Sequence, residues 1–204
     1  MVDASVQTEK LTIDEFMRLY ESEGPFEIID GERVEKVPTG YKHGRVTHAL
    51  YDALRDFLKA HSLGTAYMEM TFIVPESDKR QWVKGSRIPD VMFYAKERLA
   101  TYDAQNDEED DDRAIMIVPD LAVEIVSKND SYEDLDHKVQ LYLEDGVEQV
   151  WVVNPKTQTV TVHEGSTAYT LKKDDTLSGG DIIPGFEIRI AALFEESGGG
   201  VSNG

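Results

Sequence analysis

Apolar positions along this chain switch repeatedly between a helical period and the alternation or continuous runs of strands. In "LTIDEFMRLYES", Phe16, Leu19 and Tyr20 fall on one helical face, and Thr12 precedes Glu15 at the spacing of a capping box. "FEIIDGERVEKV" places two strand-like runs around Asp30-Gly31, a dipeptide that accepts the positive φ angles of a tight hairpin. Between Lys42 and Ala60 the positions Val46, Leu50, Leu54, Phe57 and Leu58 mark a longer helix, with Gly64 beyond its end. "TAYMEMTFIVP" reads as one strand, Glu76 to Gly85 as a polar turn, and "RIPDVMFY" as the next strand.

A further strand follows in "VPDLAVEIVS", then a helix with Asp130 as N-cap, Leu135 and Tyr142 inward and Gly146 as its stop. "VEQVWVV" predicts a buried strand, "TVTVHE" and "AYTLKK" a hairpin, and "IPGFEIRIAALF" a short strand with a final helical turn. The order predicts an α+β fold in which one strand, helix, strand unit near the end forms a parallel pair. No repeat of solenoid or propeller spacing interrupts it.

Length and composition fit a single domain over residues 11–196, since 204 residues at 40% hydrophobic content supply one real core. Residues 1–10 are expected to be flexible, and the Gly- and Ser-rich tail 197–204 disordered. The apolar runs are strand-sized and the N-terminus lacks the pattern of a signal peptide, so a soluble, cytoplasmic protein without a membrane partner is expected. With no cysteine, thiolate zinc sites and a cysteine nucleophile are excluded, and oxygen ligands favour magnesium or manganese. The net charge of −19 argues against loose, charge-driven binding to nucleic acid while leaving room for a local basic groove. Part of the excess lies in "DAQNDEEDDDR", Asp103 to Arg113, which reads as a solvated loop.

Carboxylates inside strand-like runs carry the chemistry. Alternation puts Leu121, Val123 and Ile125 on one face of the later strand and Asp120, Ala122, Glu124 and Val126 on the other. Asp90 shares a face with Ile88, Met92 and Tyr94 in the earlier one. A buried acid is costly unless it is paired, hydrogen-bonded or bound to a cation. If the two strands are neighbours, Asp90 and Glu124 converge on one divalent ion. Asp120, four residues from Glu124, reads instead as a turn or strand-start acid, and Tyr142 as a core residue. His43 and His48 lack the spacing of a helical zinc pair. Trp82, Lys84 and Arg87 read as a substrate groove or equally as an ordinary polar turn.

The PD strand, the second strand with a mid-strand acid and the helix after it resemble the restriction-endonuclease-like, PD-(D/E)XK nuclease superfamily. The chain is similar, more closely, to the Uma family of bacterial endonuclease-like proteins. "TIDEFMRL", "IPDVMFYAKERL", "VPDLAVEIVS", "DHKVQLYLEDGVEQVWVVNP" and "IPGFEI" carry that likeness in order. The resemblance implies a mixed central sheet flanked by helices, with hairpin strands at both ends of the chain. It also implies a Mg²⁺- or Mn²⁺-dependent enzyme acting on DNA phosphodiesters, with Asp90 and Glu124 as metal ligands. Val126 stands where the superfamily has its lysine, and Lys138 on the following helix is the implied substitute. Glu32 matches a family acid near the site, and His43 a family histidine at a helix start where it either contacts phosphate or caps packing. Homodimers are frequent among such nucleases. A nuclease fold without catalysis that binds nucleic acid or a partner protein, and a metal-stabilised structural centre, are the competing expectations.

Overall fold

The structure, a computed structural model, describes residues 10–76, 79–106, 113–128 and 130–195. The tail, residues 1–9 and the centre of the acidic run lie outside them. Helix α1 (Ile13–Glu23) opens with the expected capping box, Thr12 and Glu15 each satisfying a backbone N–H of the other. Strands β1 (Phe26–Ile29) and β2 (Glu32–Glu35) form a hairpin turned by Asp30 and Gly31, both at positive φ. Helix α2 (Tyr41–His61) buries Val46, Leu50, Leu54 and Leu58 as a stripe, and His43 and Thr47 continue that stripe toward its N-terminal end. Each leucine fully withdrawn from water contributes about 1.5–3 kcal/mol.

The run expected as one strand is two: β3 (Gly64–Met68) and β4 (Phe72–Glu76), which belong to different sheets. Glu69 between them has φ 49° and donates its N–H to the Asp90 carbonyl at 3.3 Å, a sharp corner that apolar content alone does not reveal. The expected polar turn is largely strand β5 (Lys79–Arg87), paired with β4 across a register shift at Pro75 and with β1 on its other side. Two of its polar residues find partners within the fold: Ser86 Oγ accepts the Ile28 N–H at 2.8 Å, and the Arg87 guanidinium pairs with Asp145 at 2.9 Å. Arg87 is therefore buried and lines no groove.

"RIPDVMFY" is likewise divided, Arg87 ending β5 and Val91 beginning β6 (Val91–Ala95). Helix α3 (Lys96–Asp103) follows, an element absent from the expectations. Strand β7 (Leu121–Ile125) leads to α4 (Tyr132–Asp145), capped by Ser131 rather than Asp130 and ended by Gly146 at φ 103°. Strands β8 (Gln149–Asn154), β9 (Thr159–Glu164) and β10 (Thr167–Leu171) come next. The short pair β11 (Thr176–Ser178) and β12 (Glu187–Arg189) and a 3-10 turn (Ile190–Leu193) close the chain.

Six strands form the main sheet in the order β10-β9-β8-β7-β6-β3, antiparallel except for the expected parallel pair β7-β8. A second sheet has the order β2-β1-β5-β4. Alternation along β7 divides the interior as expected: Leu121, Val123 and Ile125 join the core under α2, while Ala122 joins Val139 and Tyr142 of α4 in the core opposite. A third cluster lies where α1 covers the smaller sheet.

Candidate active site

Where the chain passes from β5 into β6 it leaves one sheet and enters the other, and Asp90 sits at that passage with 2% of its surface exposed. Its N–H donates to the Val123 carbonyl at 3.0 Å, extending the β6-β7 ladder by one residue. Its Oδ2 accepts the Ile125 N–H at 2.7 Å and lies 3.0 Å from His43 Nε2. Lys36, just past β2, donates to the Ile88 carbonyl at 2.8 Å and stands 3.6 Å from Asp90 Oδ1. The α2 stripe thus begins with a histidine because the helix's first turn faces a carboxylate instead of the sheet's apolar face. His43 is held in turn by Thr47, whose hydroxyl is 3.4 Å from Nδ1.

Glu124 projects from β7 toward α4, where Lys138 Nζ lies 2.9 Å from its Oε1 and the Tyr142 hydroxyl donates to the same oxygen. Lys138 and Tyr142 are one helical turn apart, so one face of α4 serves one carboxylate. The ammonium of Lys138 also stands 3.3 Å from Glu27 Oε1 on β1, and that oxygen accepts the Ile88 N–H at 2.8 Å. Two sheets and two helices therefore meet in one cluster: Asp90 with His43 and Lys36, and Glu124 with Lys138, Tyr142 and Glu27. The acids, the two lysines and His43 line a cavity of about 380 Å³.

Electrostatics follow from that crowding. Burial opposes ionisation of Asp90, but the hydrogen bond from His43 and the charge of Lys36 outweigh it and hold its pKa below the ordinary value. Burial also opposes protonation of His43, and the Asp90 hydrogen bond and charge reverse that, raising its pKa. For Glu124 burial wins: its pKa is raised despite Lys138, with Asp90 and Glu27 adding repulsion. Lys138 stays charged, because the pull of Glu124 and Glu27 exceeds the cost of its burial. Three carboxylates share two ammonium groups here, and Glu124 bears the strain.

That strain bears on whether a divalent cation fits. Asp90 Oδ1 has only the 3.6 Å contact to Lys36, and Glu124 Oε2 has no hydrogen bond to the described residues. Both are hard oxygen donors, and Mg²⁺ is commonly held by one or two carboxylates with water completing its shell. No group of three His, Asp or Glu side chains stands ready to enclose an ion among the described residues. The donor set suits a hydrated magnesium or manganese ion and does not suit a closed zinc centre.

Of the residues singled out in the sequence, Asp90, Glu124, Lys138 and His43 are brought together and Glu32 is not. Glu32 is exposed on β2, and the buried acid of that hairpin is Glu27, at 5% exposure. Strand position accounts for the difference, since β1 pairs with β5 inside the sheet and β2 is its exposed outer strand. Glu27 had a signal of its own, an acid inside "FEII" much as Glu124 stands inside "LAVEIV". Lys36 and the part played by the Tyr142 hydroxyl had none. Val126, in place of a lysine, packs at the edge of the α4 core. Asp120 is a structural acid, accepting the Ala95 N–H at 2.7 Å and pairing with Arg98 at 2.6 Å.

A mixed sheet with one parallel pair, an acid at the entry to β6, another within the neighbouring β7 and a lysine from the next helix place the molecule in the restriction-endonuclease-like fold class. The chain belongs to the Uma2 family, described as "Putative restriction endonuclease", whose pattern it matches over residues 13–191. Among solved structures it is similar to a "putative nuclease belonging to DUF820" from Anabaena variabilis ATCC 29413. The TM-score is 0.73 at 23% identity, over 90% of this chain and 97% of that one. No curated protein matches it. No helix among the described residues is long and apolar enough to cross a membrane.

Proposed function

We propose that the protein is a divalent-metal-dependent endonuclease that hydrolyses DNA phosphodiester bonds, with Mg²⁺ or Mn²⁺ held by Asp90 and Glu124. One observation carries this reading: carboxylates from the entry to β6 and from the adjacent strand β7 line one cavity, with Lys138 2.9 Å from one of them. A bound divalent ion supplies Lewis-acid polarisation of the scissile phosphate and lowers the pKa of water beside it. The chain's own groups do the rest. His43 and the Ile125 N–H fix the Asp90 carboxylate, leaving its second oxygen toward the cavity. The Tyr142 hydroxyl fixes Glu124 in the same way. Lys138, charged and held between Glu124 and Glu27, donates to the attacking water or to a phosphate oxygen and offsets charge gathering in the transition state. Lys36 supplies a second cation on the Asp90 side.

Titration calorimetry with Mn²⁺ and Mg²⁺ on the wild type and Asp90→Asn tests the reading, with the same samples assayed on linear, supercoiled and single-stranded DNA. Metal binding and cleavage that are both lost in the variant are the expected result. A folded wild type that binds neither ion and cuts none of the substrates would sink the proposal.

A further inference from the structure

Because β7 and β8 are parallel, their carboxyl ends lie side by side, and the space beyond such ends is where open sheets accommodate ligands. Here that space is a cavity of about 800 Å³, separate from the acid pocket but sharing His43, Ser127 and Asp130 with it. Lys42 from the start of α2, Lys128 from the bend after β7 and Lys156 from the turn after β8 all line it. Local hydrogen bonds shape two of these supports. Asp130 Oδ2 accepts the Ser127 N–H at 2.7 Å, and Asn154 Oδ1 accepts the N–H groups of Lys156 and Thr157 at 2.9 and 3.2 Å.

All three lysines are exposed, and none forms an ion pair with a described residue. The chain has 40 acidic residues against 21 Lys and Arg, so a surface lysine would ordinarily find an acid nearby. The single acid lining this cavity is Asp130, already engaged by Ser127. Tyr41 stands on the rim with 88% of its surface exposed. Beyond it a second cavity of about 480 Å³ shares Tyr41 and adds Arg45 and His48, and Arg45 Nη1 is buried without a hydrogen-bond partner among the described residues. Basic side chains thus continue from the acid pocket past an exposed aromatic ring, with Asp52, paired to Arg55, the acid lining the second cavity.

We propose that this crevice is the track for a single polynucleotide strand leaving the acid pocket, with Lys42, Lys128 and Lys156 on its phosphates and Tyr41 stacked on a base. The inference rests on the nuclease reading for its substrate class and extends it to strandedness. A duplex keeps its base faces covered, whereas an unpaired strand offers them to an isolated exposed ring, and lysine contacts to its backbone are indifferent to sequence.

Fluorescence anisotropy of a short labelled oligothymidine and a duplex of equal length, with Ca²⁺ in place of Mg²⁺ and over a range of NaCl, tests it on the full chain. Each lysine on a phosphate adds about −0.7 to the slope of log affinity against log salt for a single strand. Lys42→Gln/Lys128→Gln/Lys156→Gln should therefore flatten that slope by roughly 2 and weaken low-salt binding tenfold or more. Tyr41→Ala should weaken single-strand binding about tenfold and leave the slope alone. Circular dichroism and melting confirm folding, since all four side chains are exposed. A triple variant with wild-type affinity and slope, or a wild type that does not bind the oligonucleotide, overturns the track. Tighter duplex binding that Tyr41→Ala does not change overturns its single-strand character. Turnover in Mg²⁺ or Mn²⁺ is read separately. Lysine-dependent binding without turnover removes the nuclease reading alone, and turnover with lysine-independent binding removes the track alone.

Discussion

Replacing Lys138 by methionine keeps the length of the side chain and removes its charge, which isolates what the ammonium does between two buried acids. At 2.9 Å from Glu124 and 3.3 Å from Glu27, each contact is worth about 5 kcal/mol of attraction at an effective dielectric constant of about 20. The cost of withdrawing the ammonium from water cancels much of that, and removing one partner of such a buried pair typically costs about 3–5 kcal/mol. Lys138→Met should therefore lower stability at pH 7.5 in EDTA by about 3–5 kcal/mol, a fall of roughly 10 °C in Tm for a domain of this size. The pH dependence gives a sharper check. The Glu124 pKa, already raised by burial, rises further without the lysine, so the folded variant takes up a proton that the unfolded chain lacks above the ordinary carboxylate pKa. The variant's deficit should then shrink as pH falls from 7.5 toward 5. Lys138 of the wild type stays protonated throughout that window and contributes no slope. Urea denaturation at several pH values reads both effects. A variant as stable as the wild type at pH 7.5, or a deficit that grows on acidification, would refute the reasoning.

Glu27→Gln should weaken Mn²⁺ binding several-fold in calorimetry by loosening Lys138, whereas Glu32→Gln, on the exposed outer strand, should change neither binding nor stability by more than about 0.5 kcal/mol. Asp120→Asn breaks the pair of a buried acid with a half-exposed Arg98 away from the pocket, so urea denaturation should show a loss of about 2 kcal/mol while the folded protein binds metal with unchanged affinity. Gly64→Ala would put a Cβ 2.1 Å from the Tyr94 carbonyl oxygen at φ +153°, and should cost about 3 kcal/mol or more in thermal melting, with the expressed protein shifting to insoluble fractions.

What was legible in the sequence was local. The capping box at Thr12, the Asp30-Gly31 turn, the α2 stripe and the Gly146 stop are each decided within a few residues, and the structure shows each of them. Asp90 and Glu124 were legible because a carboxylate in a branched, apolar run has no packing purpose, and the pairing of β6 with β7 then places them on one cavity. What the residues did not disclose is where the chain changes sheet. The corner at Glu69 lies inside one apolar run, and β5 hides its strand character behind Ser86 and Arg87, whose partners are about sixty positions away. Glu27 was missed in favour of Glu32 for the same reason: which strand of a hairpin faces inward depends on what the hairpin packs against. Asp130 and Ser131 are both good caps, and only the bend that Asp130 holds at Ser127 leaves the position to Ser131.

Asp90 occupies the step between the two sheets, Glu27 belongs to one of them and Glu124 to the other. Neither sheet alone contains the cluster. A partly folded chain could complete the hairpin or the parallel pair and still hold its acids apart, unable to gather a cation. Under the proposed nuclease reading the fold then works as an interlock: the reactive centre comes into being only when every layer has docked.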